Sequence, residues 1–208
     1  MKSTGRSLEN LCAVILCSGI SKRFGSNKLV ADLHGRPVVW YVLSNVRKSG
    51  IDSVYIVTNS KNYGILESHL PKENYIINRN YKEGLSSSIV CAVDALKDKF
   101  NRILIRNGDQ PFFKSSLIKN LVSIQDNNPR NIASASFKRY PRNPAIFPNE
   151  FYDQLLLLKG DAGARQVIVE NMEKVSLLEI ADEMYLFDID TQYDYEKAQS
   201  LFMEYAEH

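Results

Sequence analysis

The apolar run Cys12-Ala13-Val14-Ile15-Leu16-Cys17 leads straight into Ser18-Gly19-Ile20-Ser21-Lys22-Arg23-Phe24-Gly25-Ser26-Asn27-Lys28. The run is too short for a helix and lacks the alternation of a half-exposed strand, so it reads as a strand covered on both faces. Such a strand belongs to a sheet with helices packed on each side. The segment after it holds two glycines, three serines and three cations. Loops of this kind leave backbone N–H groups unpaired and turned toward a shared centre, which suits an anion. In open α/β sheets ligands sit beyond the carboxyl ends of the strands, where this loop lies. Neither G-x-G-x-x-G nor G-x-x-x-x-G-K-[ST] occurs, which disfavours dinucleotide hydride transfer and P-loop kinase chemistry.

Downstream, short β-branched runs alternate with amphipathic segments. Strands are predicted at Ser53 to Thr58, Tyr75 to Asn78, Arg102 to Arg106, Asn131 to Phe137, Pro144 to Phe147, Lys174 to Leu178 and Met184 to Asp188. Helices are predicted at Pro37 to Lys48, Tyr63 to Leu70, Ser86 to Lys97, Ser115 to Gln125, Phe151 to Lys159, Ala164 to Glu170 and Tyr193 to Glu207. The alternation indicates an α/β fold on a mostly parallel sheet. No repeat or linker divides the chain, so residues 11–208 read as one domain behind a polar, flexible extension, Met1 to Asn10.

Lys2 and Arg6 ahead of the apolar run imitate a signal peptide, but no small-residue cleavage site follows. Cys12, Cys17 and Cys91 form no C-x-x-C pair, and so sparse a set suits reduced thiols in the cytoplasm. Lys plus Arg number 26 against 24 Asp plus Glu, a balance that gives no basic field pointing to nucleic acid or membrane.

Two acidic segments complete the chemistry. Asp109 follows the predicted strand at Arg102, between Gly108 and Gln110-Pro111, placed to project into the same crevice. A hard divalent cation bound to phosphates needs only one or two carboxylates. Near the C-terminus, alternation puts Asp188 and Asp190 on one face at a strand end, a plausible second half of a metal site. Thr191 and Asp194 have the form of a capping box.

The segment Leu16 to Lys28 resembles the L-A-A-G-x-S-x-R-x-G-x-x-K signature of MobA-like nucleotidyltransferases, particularly the molybdenum cofactor cytidylyltransferase group; Leu16, Gly19, Ser21, Arg23, Gly25 and Lys28 match in register. Gly108-Asp109-Gln110-Pro111 resembles the family's metal motif, Asp188-Ile189-Asp190-Thr191 its D-I-D-T, Gly84 to Ser88 its Gly-x-x-x-Ser core, and Gly160 to Arg165 its G-D-x-G-A-R element. The resemblance implies a Rossmann-like three-layer α/β/α domain of the nucleotide-diphospho-sugar transferase type. It also implies a loop, Leu16, Cys17, Ser18, Gly19, Ser21 and Gly25, wrapped around a nucleoside triphosphate, with Gly84, Ser88 and Gly108 alongside. Arg23 and Lys28 would neutralise phosphates, and Mg²⁺ would sit on Asp109 with Asp188 or Asp190. Asp161 and Arg165 would face the acceptor, a phosphorylated compound of which molybdopterin is the first choice and a sugar or alditol phosphate the second. Ser18 stands where guanylyltransferase relatives carry Gly, which leans toward CTP. A cofactor carrier serving a molybdoenzyme is the non-catalytic alternative, disfavoured by an intact Asp109 and Lys28. Ser86 is expected to cap its helix.

Overall fold

The computed structural model describes residues 8, 10–21 and 23–206. The extension expected at Met1 to Asn10 therefore lies almost wholly outside the described residues, as does Lys22. The strands are β1 (Leu11–Cys17), β2 (Asp32–Leu33), β3 (Arg36–Pro37), β4 (Val54–Thr58), β5 (Asn74–Ile77), β6 (Arg102–Asn107), β7 (Ile132–Phe137), β8 (Tyr140–Pro148) and β9 (Val175–Glu179). The helices are α1 (Val38–Lys48), α2 (Ser60–His69), α3 (Leu85–Leu96), α4 (Ser115–Asn127), α5 (Tyr152–Leu156), α6 (Arg165–Glu170) and α7 (Gln192–Tyr205).

Seven strands form one mixed sheet in the order β5-β4-β1-β6-β8-β7-β9, while β2 and β3 make a small separate hairpin. Only β8 runs against its neighbours. β1 is central because every residue in it is buried, and its side chains alternate between two cores. Ala13, Ile15 and Cys17 pack toward α1, α2 and α4. Cys12, Val14 and Leu16 pack toward α3, α5 and α6. This is the expected three-layer α/β/α arrangement. Among the described residues no helix is long and apolar enough to cross a membrane.

The topology also fixes the place of the crevice. From β1 the chain builds outward through β4 and β5, then returns to lay β6 on the other side of β1. That reversal opens a gap beyond the carboxyl ends of β1 and β6, at Cys17 and Asn107.

Three expectations are corrected. Met184 to Asp188 is not a strand: Asp182 accepts the Met184 N–H at 3.0 Å and starts a 3₁₀ turn over Glu183–Leu186. The strand expected at Pro144 to Phe147 begins at Tyr140, because Lys138 and Arg139 adopt positive φ (50° and 65°) and turn β7 back into it. The helix expected from Phe151 to Lys159 is α5 alone, preceded by a 3₁₀ turn over Asn149–Phe151.

Candidate active site

The loop after β1 is anchored at several points, and its residues Ser18 to Ser21 line a cavity. Asn59, whose side-chain oxygen Oδ1 accepts the Lys61 and Asn62 N–H groups and caps α2, donates from Nδ2 to the Ser18 carbonyl at 2.8 Å. Asn62 donates to the Gly19 carbonyl at 2.9 Å. Among the described residues no backbone acceptor is found for the N–H groups of Gly19, Ile20 or Ser21. Farther along, Phe24 is buried against α7, its ring edge-on to Tyr195. Asn27 caps a 3₁₀ turn, accepting the Leu29 N–H, and so sets the start of Lys28.

A cavity of about 790 Å³ opens over this loop. Leu16, Cys17, Ser18, Gly19, Ser21, Lys28, Gly84, Ser88 and Asp109, all named from the sequence, line it. Three expected residues do not. Arg23 is an exposed side chain paired with Asp190 at 3.0 Å. Gly25, at φ +82°, borders a separate depression with Ser21 and Asn27. Gly108 lies behind the loop, its N–H on the Leu16 carbonyl, where an added Cβ would meet the Cys17 sulfur at 2.6 Å. Its role is close packing of the two strand ends.

The far wall is built by two remote segments. Gly84 holds φ +100° and ψ −176°, a conformation open essentially to Gly alone. A Cβ there would stand 2.2 Å from the Gly160 carbonyl oxygen. Ser86 is not the cap of α3; Gly84 holds that position, and the Ser86 hydroxyl donates to the Gly160 carbonyl at 2.7 Å. Ser88 is buried and accepts from Asn78 at 3.0 Å. Gly84→Ala therefore combines backbone strain with overpacking and should cost roughly 2–4 kcal/mol. In thermal unfolding that is a fall of about 5–15 °C for a chain this size, and an unchanged transition would contradict the close approach.

A second cavity of about 660 Å³ adjoins the first. Asn107 lines both. The second holds Arg142, Arg165 and Lys197 together with Asp182, Glu183, Asp188, Asp190 and Asp194. Asp161 and Arg165, expected together, are divided: Asp161 lines the first cavity and Arg165 the second. They are separated because Arg165 starts α6 whereas Asp161 is held in the turn beside Gly84.

The seam between the cavities carries the charge. Lys28 Nζ lies 2.5 Å from Asp109 Oδ2 and 2.8 Å from Asp190 Oδ1, with only 12% of its side chain exposed. Burial opposes its charge, but Asp109 and Asp190 more than offset this and raise its pKa. Burial likewise works against Asp190, while Lys28 and Arg23 hold it below the usual carboxylate range. Among the described residues no cation pairs with Asp188; burial first, and then the Asp109 charge, push it up to about 7, and the Asn107 hydrogen bond and the Lys28 charge offset this only in part. The Ile189 N–H donates to the Asp109 carbonyl at 3.0 Å and ties the two acidic segments together. The capping box of α7 forms as expected, and Asp194 also accepts the Asp190 N–H at 3.2 Å, so the cap fixes Asp190 as well as the helix.

The three aspartates are not a ready-made cage: among the described residues no group of three or more His, Cys, Asp or Glu is arranged to hold a metal. Asp190 is taken by cations, and Asp188 reaches the seam from an irregular segment rather than a strand end. The donor set still fits a divalent cation. Asp109 Oδ1 is buried without a hydrogen-bond partner, and the repulsion between Asp109 and Asp188 is what such an ion would relieve.

Sequence reasoning missed Lys61, Lys82 and Asn107 as cavity-lining residues. Asn107 was within reach, since it ends β6 two residues before Asp109. The two lysines carry no local signal that separates them from solvated surface charge.

Comparison with known proteins supplies the family. The MobA-like NTP transferase domain matches residues 13–175. The bifunctional protein GlmU of Aquifex aeolicus is 34% identical over 113 residues, covering 52% of this chain and 24% of that protein. The chain thus spans about a quarter of that curated relative's length. Rv0371c from Mycobacterium tuberculosis superposes with a TM-score of 0.80 at 19% identity over 91% of this chain and 98% of that one. A structure of the same protein with manganese gives 0.76. Molybdopterin-guanine dinucleotide biosynthesis protein A from Archaeoglobus fulgidus gives 0.67 at 19% identity, over 93% and 99%. At these identities the structural likeness shows the fold.

Proposed function

The chain belongs to the MobA-like NTP transferase family, and on that footing we propose that it transfers CMP from CTP to a phosphorylated acceptor, molybdopterin in first place, and releases pyrophosphate. One observation carries the reading: Asp109, Lys28 and Asp190 form a charged seam where the two cavities meet. The larger cavity takes the nucleoside triphosphate, with its phosphates on the free amides of Gly19 to Ser21. The second takes the acceptor, whose phosphate meets Arg165.

An oxygen of the acceptor phosphate attacks the α-phosphorus, and the bond from that phosphorus to the bridging oxygen of pyrophosphate breaks. The attacking oxygen is already ionised, so no general base is required. The protein's task is to bring two anions together and to stabilise charge on the leaving group. Lys28 turns from the carboxylates toward the phosphates, and Arg23 follows from the rim. A Mg²⁺ ion held by Asp109 with Asp188 or Asp190 supplies further neutralisation when bound. Asn107, donating to Asp188 at 3.4 Å and accepting from Asn143 at 3.3 Å, keeps the partition between the cavities in place.

Ser18 supports the choice of base. It is buried in the wall of the nucleotide cavity, with its hydroxyl on the Val57 carbonyl at 3.3 Å. Ser18→Gly deepens that wall and should move the CTP-to-GTP affinity ratio at least about tenfold toward GTP, read by competitive binding. An unchanged ratio would separate Ser18 from base selection.

A second acceptor class is favoured by one feature. Five carboxylates in the second cavity suit a body rich in hydroxyl donors, as in a sugar or alditol phosphate. Pyrophosphate release with Mg²⁺–CTP and a panel of molybdopterin, sugar phosphates and alditol phosphates tests the proposal. Release with molybdopterin alone is the expected result. Release with none, by a protein that binds CTP, would overturn these acceptor classes, whereas the carrier role predicts no Mg²⁺-dependent CTP binding at all.

A further inference from the structure

Arg106 is among the largest fully buried side chains of the described residues, and the Asp109 charge acts on its guanidinium. It occupies the penultimate position of β6, three residues before Asp109. Its two terminal nitrogens donate to the carbonyls of Gln110 at 2.6 Å and Phe113 at 3.2 Å. The guanidinium lies over the Phe113 ring, 5.4 Å from its centroid. From α1, Asn45 donates to the carbonyls of Pro111 and Phe113, both at 3.2 Å. The turn that presents Asp109 is therefore clamped from inside by two side chains reaching its backbone.

A neutral donor such as Asn45 suffices for carbonyl hydrogen bonds, so the charge of Arg106 calls for another explanation. Among the described residues no carboxylate pairs with it, and Nε has no partner. A buried cation without an ion-paired carboxylate costs stability, and a well-packed apolar side chain of similar volume is often neutral or better. Among the described residues the remaining buried unpartnered side-chain atoms are Asp109 Oδ1 and Gln110 Oε1 on the turn, and Asn27 Nδ2 next to Lys28 in the chain. Unsatisfied polarity is concentrated around one turn and the loop facing it, the pattern of a site arranged for a ligand rather than for stability.

We infer that Arg106 is a positioning residue, which holds the Asp109 turn by its guanidinium fork and keeps a fixed positive charge under the carboxylates when Lys28 leaves them for the phosphates. This rests on the reading of Asp109 as a metal-binding carboxylate. Residues one contact behind a metal ligand typically change metal affinity by about 10–100-fold.

The test is calorimetric binding of Mn²⁺–CTP to wild type, Arg106→Met and Arg106→Lys, with thermal unfolding of each. Wild type must bind first; if it does not, the nucleotide reading itself fails and the variants are not at issue. Arg106→Met is expected to melt no lower than wild type yet bind Mn²⁺–CTP at least about tenfold more weakly. Arg106→Lys, which keeps the charge but cannot span both carbonyls, should fall between the two. Equal affinity in Arg106→Met and wild type overturns the inference, as does a lower melting point with unchanged affinity, the mark of a purely structural role. Where Arg106→Met does not fold, Arg106→Lys decides: binding weakened in a folded protein sustains the inference, and unchanged binding ends it.

Discussion

Asp109→Asn lowers turnover by about 100–1,000-fold, the scale on which losing one transition-state charge contact is felt, while melting stays close to that of wild type. The two halves of this result have separate causes. Stability is preserved because Lys28 retains Asp190 at 2.8 Å, and because removing the Asp109 charge relieves the repulsion that pushes Asp188 upward. Activity is lost because Asp109 supplies the one buried carboxylate oxygen that has no hydrogen-bond partner among the described residues. An amide keeps the shape and removes the charge that a divalent cation requires. Near-normal pyrophosphate release from folded Asp109→Asn would end the metal assignment.

Lys28→Met also lowers turnover by about 100–1,000-fold, but it should move metal binding the other way. In the nucleotide-free protein the Lys28 ammonium sits between Asp109 and Asp190 and competes for both. Removing it leaves the partly buried Asp109 without its cation and Asp190 with Arg23 alone. The affinity of the nucleotide-free protein for Mn²⁺ should therefore rise, by about fivefold or more for close charges at reduced dielectric. An ordinary binding residue, once removed, weakens everything it touches. A gain in metal affinity joined to a loss of turnover is specific to a cation that must give way. Unchanged or weaker Mn²⁺ binding to folded Lys28→Met would show that the ion pair does not guard the carboxylates.

What the sequence made legible was local and chemically loud. A continuous apolar run can only be a strand covered on both faces, so β1 and the loop after it are readable together. Asp109 is legible because it follows a buried strand, and Thr191 with Asp194 because a capping box is a contiguous pattern. The β7–β8 turn was hidden, since Lys138 and Arg139 adopt positive φ without the Gly or Asn that usually signals it. Pro141 and Pro144 then disguised the start of β8. Glu183 to Leu186 misled because its apolar residues fit a strand, while Asp182 capped a 3₁₀ turn instead. The division of Asp161 from Arg165 depends on Gly84 touching Gly160, a contact between distant segments that no local pattern records. Arg106 was read as the polar end of a strand; its complete burial follows from α1 and the 107–113 turn closing over it.

The central claim is that the larger cavity is a metal-dependent nucleoside triphosphate site with a preference for cytosine. The direct measurement is thermal unfolding with ATP, GTP, CTP and UTP, each with and without Mg²⁺. A ligand at one hundred times its dissociation constant stabilises the folded state by about 2.7 kcal/mol, or about 5–10 °C for a chain of this size. The account predicts that shift for CTP with Mg²⁺, a much smaller one without the metal, and smaller ones for the other three nucleotides. Equal shifts with and without Mg²⁺, or the largest shift with GTP, would contradict it.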